Sequence, residues 1–301
     1  MSFWCITAYF NPCGYRSLTN NYHIFKESLQ KQKVNLLTLE LSFDTIFRLK
    51  SQDIVRLLGN SIMWQKERLI NYGISLLPDN CTAYAWLDCD IIFDDPEWSV
   101  KALKALESYD IIQLFKRVFY LPYGDKHYQR KQNIMFPGIV NQYNQHSSSW
   151  LYRREKKEIS FAAPGLAWAT RRNTFKDIDI YDRDITGSGD CILADTLLDS
   201  WSLHGYKVKF NDKMKRDILD WCGKIKKKKL TVSHLPVDIF HLWHGHFMNR
   251  GYMNRHKIIL THDFDPKVDI ILKNNVYEWS TDKKQMHQEI SQYFHDRMED
   301  G

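Results

Sequence analysis

Trp86-Leu87-Asp88-Cys89-Asp90-Ile91-Ile92-Phe93 is the stretch on which the fold turns. An almost wholly apolar run, Thr82–Leu87, enters an Asp-x-Asp pair, and apolar residues resume at once. An uninterrupted apolar run of this length suits a strand covered on both faces, as in a parallel sheet. In open α/β sheets ligands gather beyond the carboxyl ends of the strands. Two carboxylates there are costly unless paired or bound to a cation. If the chain stays extended, Asp88 and Asp90 point the same way and both could face one cation or its bound water. Hard oxygen ligands suit Mg²⁺ or Mn²⁺. An ordinary strand-end cap or turn has the same pattern, and the two residues alone leave both readings open.

Working outward, the N-terminal half alternates strand-like and helix-like segments. Phe3–Tyr9 reads as a strand, followed by an Asn11-Pro12-Cys13-Gly14 turn. Thr19–Lys31 reads as a helix, with Tyr22, Phe25 and Leu29 at near-helical spacing. Val34–Leu39 is a second strand, Ser61–Leu77 a second helix, and Asp110–Phe115 a strand after the one at Thr82–Leu87. The order β-α-β-α-β predicts an α/β fold with a Rossmann-type, mostly parallel sheet flanked by helices. From 117 to 160 the sequence turns polar and aromatic, including Tyr123-Gly124-Asp125-Lys126-His127-Tyr128-Gln129-Arg130. This predicts a loop-rich insertion, either a lid or acceptor loop or a plain surface insertion. Leu193–His204 reads as a helix and Lys207–Phe210 as a short strand. Tyr252–Leu260 and Lys283–Met298 read as helical.

The chain has 301 residues, 44% of them apolar and 26% charged, a composition that excludes a mostly disordered protein. Forty-two Lys and Arg against 36 Asp and Glu give +6, a mild bias toward acidic partners such as nucleotides or nucleic acid. No apolar run approaches the ~18 residues of a membrane span. The N-terminus lacks the basic start of a secretory leader and reaches Asn11-Pro12 too soon. Cysteines 5, 13, 81, 89, 191 and 222 form no Cys-x-x-Cys pair and read as reduced residues of a cytoplasmic protein.

Three further stretches carry candidate chemistry. Pro164-Gly165-Leu166-Ala167-Trp168-Ala169 is followed by Thr186-Gly187-Ser188-Gly189-Asp190, a flexible turn that presents an acid just before a helix. Glycine allows close backbone approach to a ligand, but an acid at a helix start is also a plain N-cap. His241-Leu242-Trp243-His244-Gly245-His246, with Arg250, Tyr252, Arg255 and His256 after it, concentrates imidazoles suited to metal or phosphate. No Cys lies nearby to complete a common structural zinc set. Met63–Asn71 carries Lys66 and Arg68, which suit diphosphate or base contacts or simply a solvated face. Trp168 and Trp243 suit stacking on sugar or base and suit core packing equally.

In this order, from about residue 3 to 262, the pieces resemble a GT-A glycosyltransferase. The segment around Pro164–Ala169 and the acidic turn after it resemble the C-terminal region of galactosyltransferases and polypeptide N-acetylgalactosaminyltransferases. There the turn is Trp-Gly-Gly-Glu; here it is Thr186-Gly187-Ser188-Gly189-Asp190. The resemblance implies a metal-dependent enzyme that moves a sugar from a nucleotide-sugar donor, UDP favoured, to an acceptor hydroxyl, with inversion. It implies Asp90 and His244 as ligands of Mn²⁺ or Mg²⁺, with Asp88 and His241 as further candidates. It implies Asp190 as the base and Asp88 on the donor, where Lys66, Arg68 and Trp243 are candidates by residue type. Trp168 and Gly189 fall on the acceptor side. The expected organisation is a catalytic domain over 1–262 and a C-terminal helical extension over 263–301. The catalytic domain divides into a nucleotide-sugar half (1–116), the insertion (117–160) and an acceptor and metal-completing half (161–262). The acceptor is a glycan or a hydroxymethylated pyrimidine in DNA, with Lys224–Lys229 a phosphate contact or a solvated basic loop. A nucleotidyltransferase, which also uses paired carboxylates, and a non-enzymatic nucleic-acid-binding protein are the competing functions.

Overall fold

The computed structural model describes residues 2–51, 53–125, 134–146, 162–200, 210–252 and 254–301. Strand β1 (Ser2–Phe10) alternates its side chains between two cores. Phe3, Cys5 and Tyr9 join one, and Ile6 the other, with Trp4, Ala8 and Phe10 packed against it. That is the period-2 alternation of a central strand with layers on both faces. Helix α1 (Arg16–Lys31) buries Tyr22, Phe25 and Leu29 on one side of the sheet. Helix α2 (Lys66–Leu76) buries Leu69 and Ile70 on the other, and helix α3 (Trp98–Ala105) buries Trp98 and Ala102 on the side of α1.

Strands β2 (Asn35–Ser42), β3 (Ile54–Leu58) and β4 (Cys81–Leu87) complete the parallel part. β1 pairs in parallel with both β2 and β4, and β2 with β3. β6 (Ile111–Gln113), β9 (Ala167–Arg171) and β10 (Val232–His234) extend the sheet, in the spatial order β10-β6-β9-β4-β1-β2-β3. β9 alone among these runs antiparallel, between β4 and β6. The mostly parallel α/β sheet expected from the sequence is present.

Strand order reverses at β1: β2 follows on one side and β4 lies on the other. The carboxyl ends of β1 and β4 therefore open a crevice between them, the usual place for a ligand in such sheets. Asp88-Cys89-Asp90 follows β4 directly into that crevice.

A second sheet forms beside it in the order β5-β11-β7-β8. Its members are β5 (Ile91–Phe93), β7 (Arg117–Tyr120), β8 (Ile134–Pro137) and β11 (Asp238–His241). The region 117–160 is thus less loop-like than its composition predicts: its described part supplies β7, β8 and helix α4 (Ile139–Gln145). Residues 126–133 and 147–161 lie outside the described residues, as does most of the strand expected at Lys207–Phe210. The helix expected at Leu193–His204 starts earlier, as α5 (Gly189–Leu197). Helix α6 (Asp212–Lys227), not foreseen, is capped by Asn211 Oδ1 on Met214 N. The helix expected at Tyr252–Leu260 is the shorter α7 (Lys257–Thr261). The stretch 263–301, expected to be helical, first forms a hairpin, β12 (Ile270–Lys273) with β13 (Val276–Trp279), and then α8 (Lys284–Asp296).

Candidate active site

The crevice holds a cavity of about 310 Å³. Its walls come from the end of β1 and the turn after it, the Asp88–Asp90 turn, the Gly187–Cys191 turn, the His241–His256 region and residues 294–299.

At one end Asp90, His241 and His244 place one ligand atom each within 4.8 Å of one another. Pairing of two short strands creates this cluster. β11 runs antiparallel to β5 with His241 opposite Ile91, and Leu242 N donates to Asp90 O at 2.8 Å. Residues 90 and 241 thereby become neighbours, and the Gly245 turn (φ +84°) keeps His244 beside them. His244 Nε2 lies 3.0 Å from Asp90 Oδ2, and His241 Nε2 lies 3.7 Å from Asp90 Oδ1. Burial alone would raise the Asp90 carboxyl, but His241, His244 and Arg250 outweigh it and hold it well below the usual carboxylate range. Burial, opposed by Asp90, pushes His241 down to about 3, which leaves it a neutral imidazole with a free lone pair.

The donor set fits a divalent cation. Asp90 Oδ1 is buried without a hydrogen-bond partner. His244 Nε2 stands within hydrogen-bond reach of both the Arg250 guanidinium, at 3.0 Å, and the Asp90 carboxylate. One nitrogen cannot accept from the first and donate to the second at once. A cation on Nε2 and Asp90 would turn those opposed lone pairs into shared ligands. One carboxylate with two imidazoles is a recurring transition-metal set.

At the other end Lys66, on the first turn of α2, is the hub. Its ammonium donates to Asp88 Oδ1 at 3.0 Å and to Asp190 Oδ2, and lies 3.9 Å from Glu67 Oε1. Burial disfavours the ammonium, but Asp190, Asp88 and Glu67 overcome this and raise its pKa well above the ordinary value. Three carboxylates around one cation leave a surplus of negative charge. Burial, against the pull of Lys66, pushes Glu67 up to about 8 and Asp88 up to about 6.

The turn that carries Asp190 is pinned, against the expectation of a flexible one. Asp184 accepts from Thr186 N, Thr186 Oγ1 and Ser188 N at 2.7–2.9 Å. His256 bridges Thr186 Oγ1 and Ser188 Oγ at 3.0 Å each, and Arg255 donates to Gly187 O at 2.6 Å. Ser188, not Asp190, is the residue before α5. A β-carbon on Gly165 would sit 2.3 Å from Asp190 Oδ2, so only glycine lets the Pro164–Leu166 turn close against this carboxylate.

Of the residues singled out from the sequence, Lys66, Asp88, Asp90, Asp190, His241 and His244 all line the cavity. The others do not. Trp168 is fully buried, stacked on Trp86 with ring centroids 6.4 Å apart, and its Nε1 donates to Pro164 O. It has no face left for an acceptor, because β9 aims it into the core opposite β4. Arg68 points away from the cavity to Asp182 and Asp179, at 3.2 and 3.8 Å. Gly189 lies under the wall, where a β-carbon would strike Glu67. Trp243 packs edge-on to Tyr123 outside the cavity. Asp88 is absent from the metal-suited cluster, since Lys66 takes its carboxylate. None of Lys224–Lys229 reaches the cavity; Lys226 pairs with Asp199 at the end of α6.

Sequence reasoning missed Glu67, Arg297 and Glu299. Arg297 and Glu299 line the cavity and form a buried ion pair. A pair spaced i, i+2 just after a helix carries no motif, so only the fold reveals it.

No protein-family model matches this chain, and no curated protein matches it in sequence. Among solved structures it is similar to the catalytic domain of Drosophila β1,4-galactosyltransferase 7 in complex with xylobiose. The identity is 12%, the TM-score 0.35, and the match covers 78% of this chain and 65% of that one. A mutant of the same Drosophila protein in complex with manganese, UDP-Gal and xylobiose matches at 10% identity and TM-score 0.36, over 78% and 65%. A Desulfovibrio desulfuricans protein described as a nucleotide-diphospho-sugar transferase matches at 13% identity and TM-score 0.37, over 84% and 87%. This chain thus spans about two thirds of the length of the Drosophila domain. No helix among the described residues is long and apolar enough to cross a membrane.

Proposed function

We propose that the cavity binds a nucleoside-diphosphate sugar together with a divalent cation and passes the sugar to an acceptor hydroxyl. The observation that carries this reading is the meeting, in one crevice at the β1/β4 switch point, of the Asp90–His241–His244 cluster and the Lys66–Asp88–Asp190 cluster.

Asp90, His241 and His244 would hold the cation. Two imidazoles in the set favour Mn²⁺ over Mg²⁺, which prefers oxygen ligands throughout. When bound, the cation neutralises charge on the diphosphate leaving group. Arg250 and Arg297, buried beside it, suit the phosphate oxygens that it does not reach. Tyr9, Phe10 and Tyr15 at the mouth of β1 offer flat surfaces to the nucleoside.

Asp190 is the base. Its carboxylate faces the cavity from a pinned turn, with Lys66 and not the cation ligands as its partner. It removes the acceptor proton as the hydroxyl oxygen attacks the anomeric carbon and the diphosphate departs. Lys66 occupies Asp190 Oδ2, so it must turn from Asp190 toward Asp88 or the diphosphate before transfer. Asp88 then keeps the ammonium and contacts the donor ribose.

The test is thermal unfolding of the protein with UDP-, GDP-, CMP- and ADP-sugars, each with Mn²⁺ or with EDTA. A ligand that binds only the folded state raises the melting temperature. One nucleotide class should stabilise, and only with Mn²⁺. No metal-dependent shift with any donor overturns the reading.

A further inference from the structure

The segment after α8 returns to the cavity and ends its described course against the cation cluster. Glu299 is 2% exposed, and its Oε1 faces His244 Nδ1 at 3.4 Å. That nitrogen is buried and has no hydrogen-bond partner as it stands. A ligating imidazole usually donates its other N–H to a carboxylate, which fixes the tautomer and turns the lone pair toward the metal. Glu299 is placed to do this for His244, on the side of the ring opposite Asp90.

Glu299 is itself held with care. Arg297 Nε donates to its Oε1 at 2.5 Å, and Arg297 also donates to Tyr293 OH at 3.0 Å and lies over the Trp64 ring. On the far side the segment is fastened to the start of α1. Asp300 accepts from Arg16 N and Ser17 N at 3.0 and 2.8 Å, and Ser17 Oγ donates to Glu299 O at 2.6 Å. A β-carbon on Gly245, next to His244, would come within 2.9 Å of Met298 O. The segment thus joins the first helix of the parallel sheet to the loop that carries His244.

We propose that Glu299 is a positioning residue for the cation site: it binds the Nδ1 proton of His244 and so presents Nε2 to the metal, with Asp300 anchoring it. This rests on the cation-dependent reading above. Nothing in it requires the donor or the acceptor to be known.

Titration of the protein with Mn²⁺, followed by the electron paramagnetic resonance signal of the free ion, reads the affinity without any turnover. Glu299→Gln keeps the shape and an acceptor oxygen for Arg297. It should weaken Mn²⁺ binding several-fold, and Glu299→Ala by about 10–100-fold, the usual range for a lost outer-shell partner. Asp300→Asn, remote from the cation, should give a smaller loss in the same direction and carries the test if a Glu299 variant fails to fold. In a His244→Ala background the Glu299→Ala loss should vanish, because the carboxylate then has no imidazole to orient. Wild type that does not bind Mn²⁺ overturns the cation reading itself. Wild type that binds, with Glu299 variants that bind equally well, overturns only this proposal. An undiminished loss in the His244→Ala background also overturns it, by showing Glu299 to act as a bulk charge.

Discussion

Asp88 and Asp90 leave the same turn two residues apart and meet opposite surroundings. Asp90 faces two imidazoles and Arg250, and its carboxyl is held well below the usual range despite burial. Asp88 shares Lys66 with Asp190 and Glu67, and burial pushes its carboxyl up to about 6 against the pull of Lys66. One end of the cavity thus has a spare electron pair on the neutral His241 and one firmly charged carboxylate. The other has more carboxylates than its single ammonium can satisfy. The difference shows that Asp-x-Asp is one motif only in sequence. In space its two acids join separate clusters, which the proposed function reads as a cation end and a proton-handling end, and what each acid does follows from its partners.

The largest effect should come from breaking the cation end. Asp90→Asn removes the charged ligand from beside Arg250 and the two imidazoles. Both the Mn²⁺-dependent thermal shift and turnover should disappear, the latter by at least ~10³-fold given what a single preorganised electrostatic contact is worth. Asp190→Asn should separate the two ends. Donor and Mn²⁺ binding should persist, while turnover falls ~10²–10⁴-fold, the range of a lost general base. A thermal shift retained in the first variant, or lost in the second, contradicts the division of labour. Gly165→Ala is milder. Its β-carbon would displace Asp190 without touching the cation ligands, so kcat should fall by up to ~10²-fold at unchanged Mn²⁺ affinity.

The sequence makes one of these ends much easier to read than the other. Asp88-Cys89-Asp90 announces itself because an apolar strand runs straight into charge, and His241 and His244 because imidazoles cluster. What joins them is the pairing of β5 with β11, and a three-residue strand such as Ile91–Phe93 has too little periodicity to be read. Lys66 is visible as a residue but not as a hub, because Asp88 and Asp190 reach it from separate elements. Trp168 and Arg68 show the converse error. Their residue types suit a sugar and a diphosphate, but a strand or helix sends alternate positions to opposite sides, and theirs face Trp86 and Asp182. The aromatic stretch at 117–125 gave no sign of β7, since Arg117-Val118-Phe119-Tyr120 alternates too briefly. In the parallel part β1, β2 and β4, with α1 and α2 between them, were legible because each is long enough to show its own period, while the five-residue β3 was not.

The smallest effect, and the one that compares the ends most directly, is on stability against pH in EDTA. Glu67 ionises near 4.5 when exposed and near about 8 in the fold. Between those values the native state holds a proton that the unfolded chain has lost, so stability falls as pH rises, by at most about 1.4 kcal/mol per unit. Asp88, raised to about 6, adds to the same falling limb at its acid end. His241 does the reverse. Its ordinary value of 6.5 drops to about 3, so below pH 6.5 the unfolded chain takes up a proton that the native imidazole refuses. Its contribution is lost as pH falls. Urea unfolding from pH 4.5 to 8 should therefore show the two ends working against each other up to pH 6.5, with Glu67 alone lowering stability above it. In Glu67→Gln the fall between 6.5 and 8 should flatten, since the amide is neutral in both states. In His241→Asn the opposition below 6.5 should shrink to the part that His234 and His287 supply, since burial holds both below their ordinary value. If Glu67→Gln leaves the alkaline limb unchanged, the surplus negative charge around Lys66 is stored elsewhere, and the contrast between the two ends loses its basis.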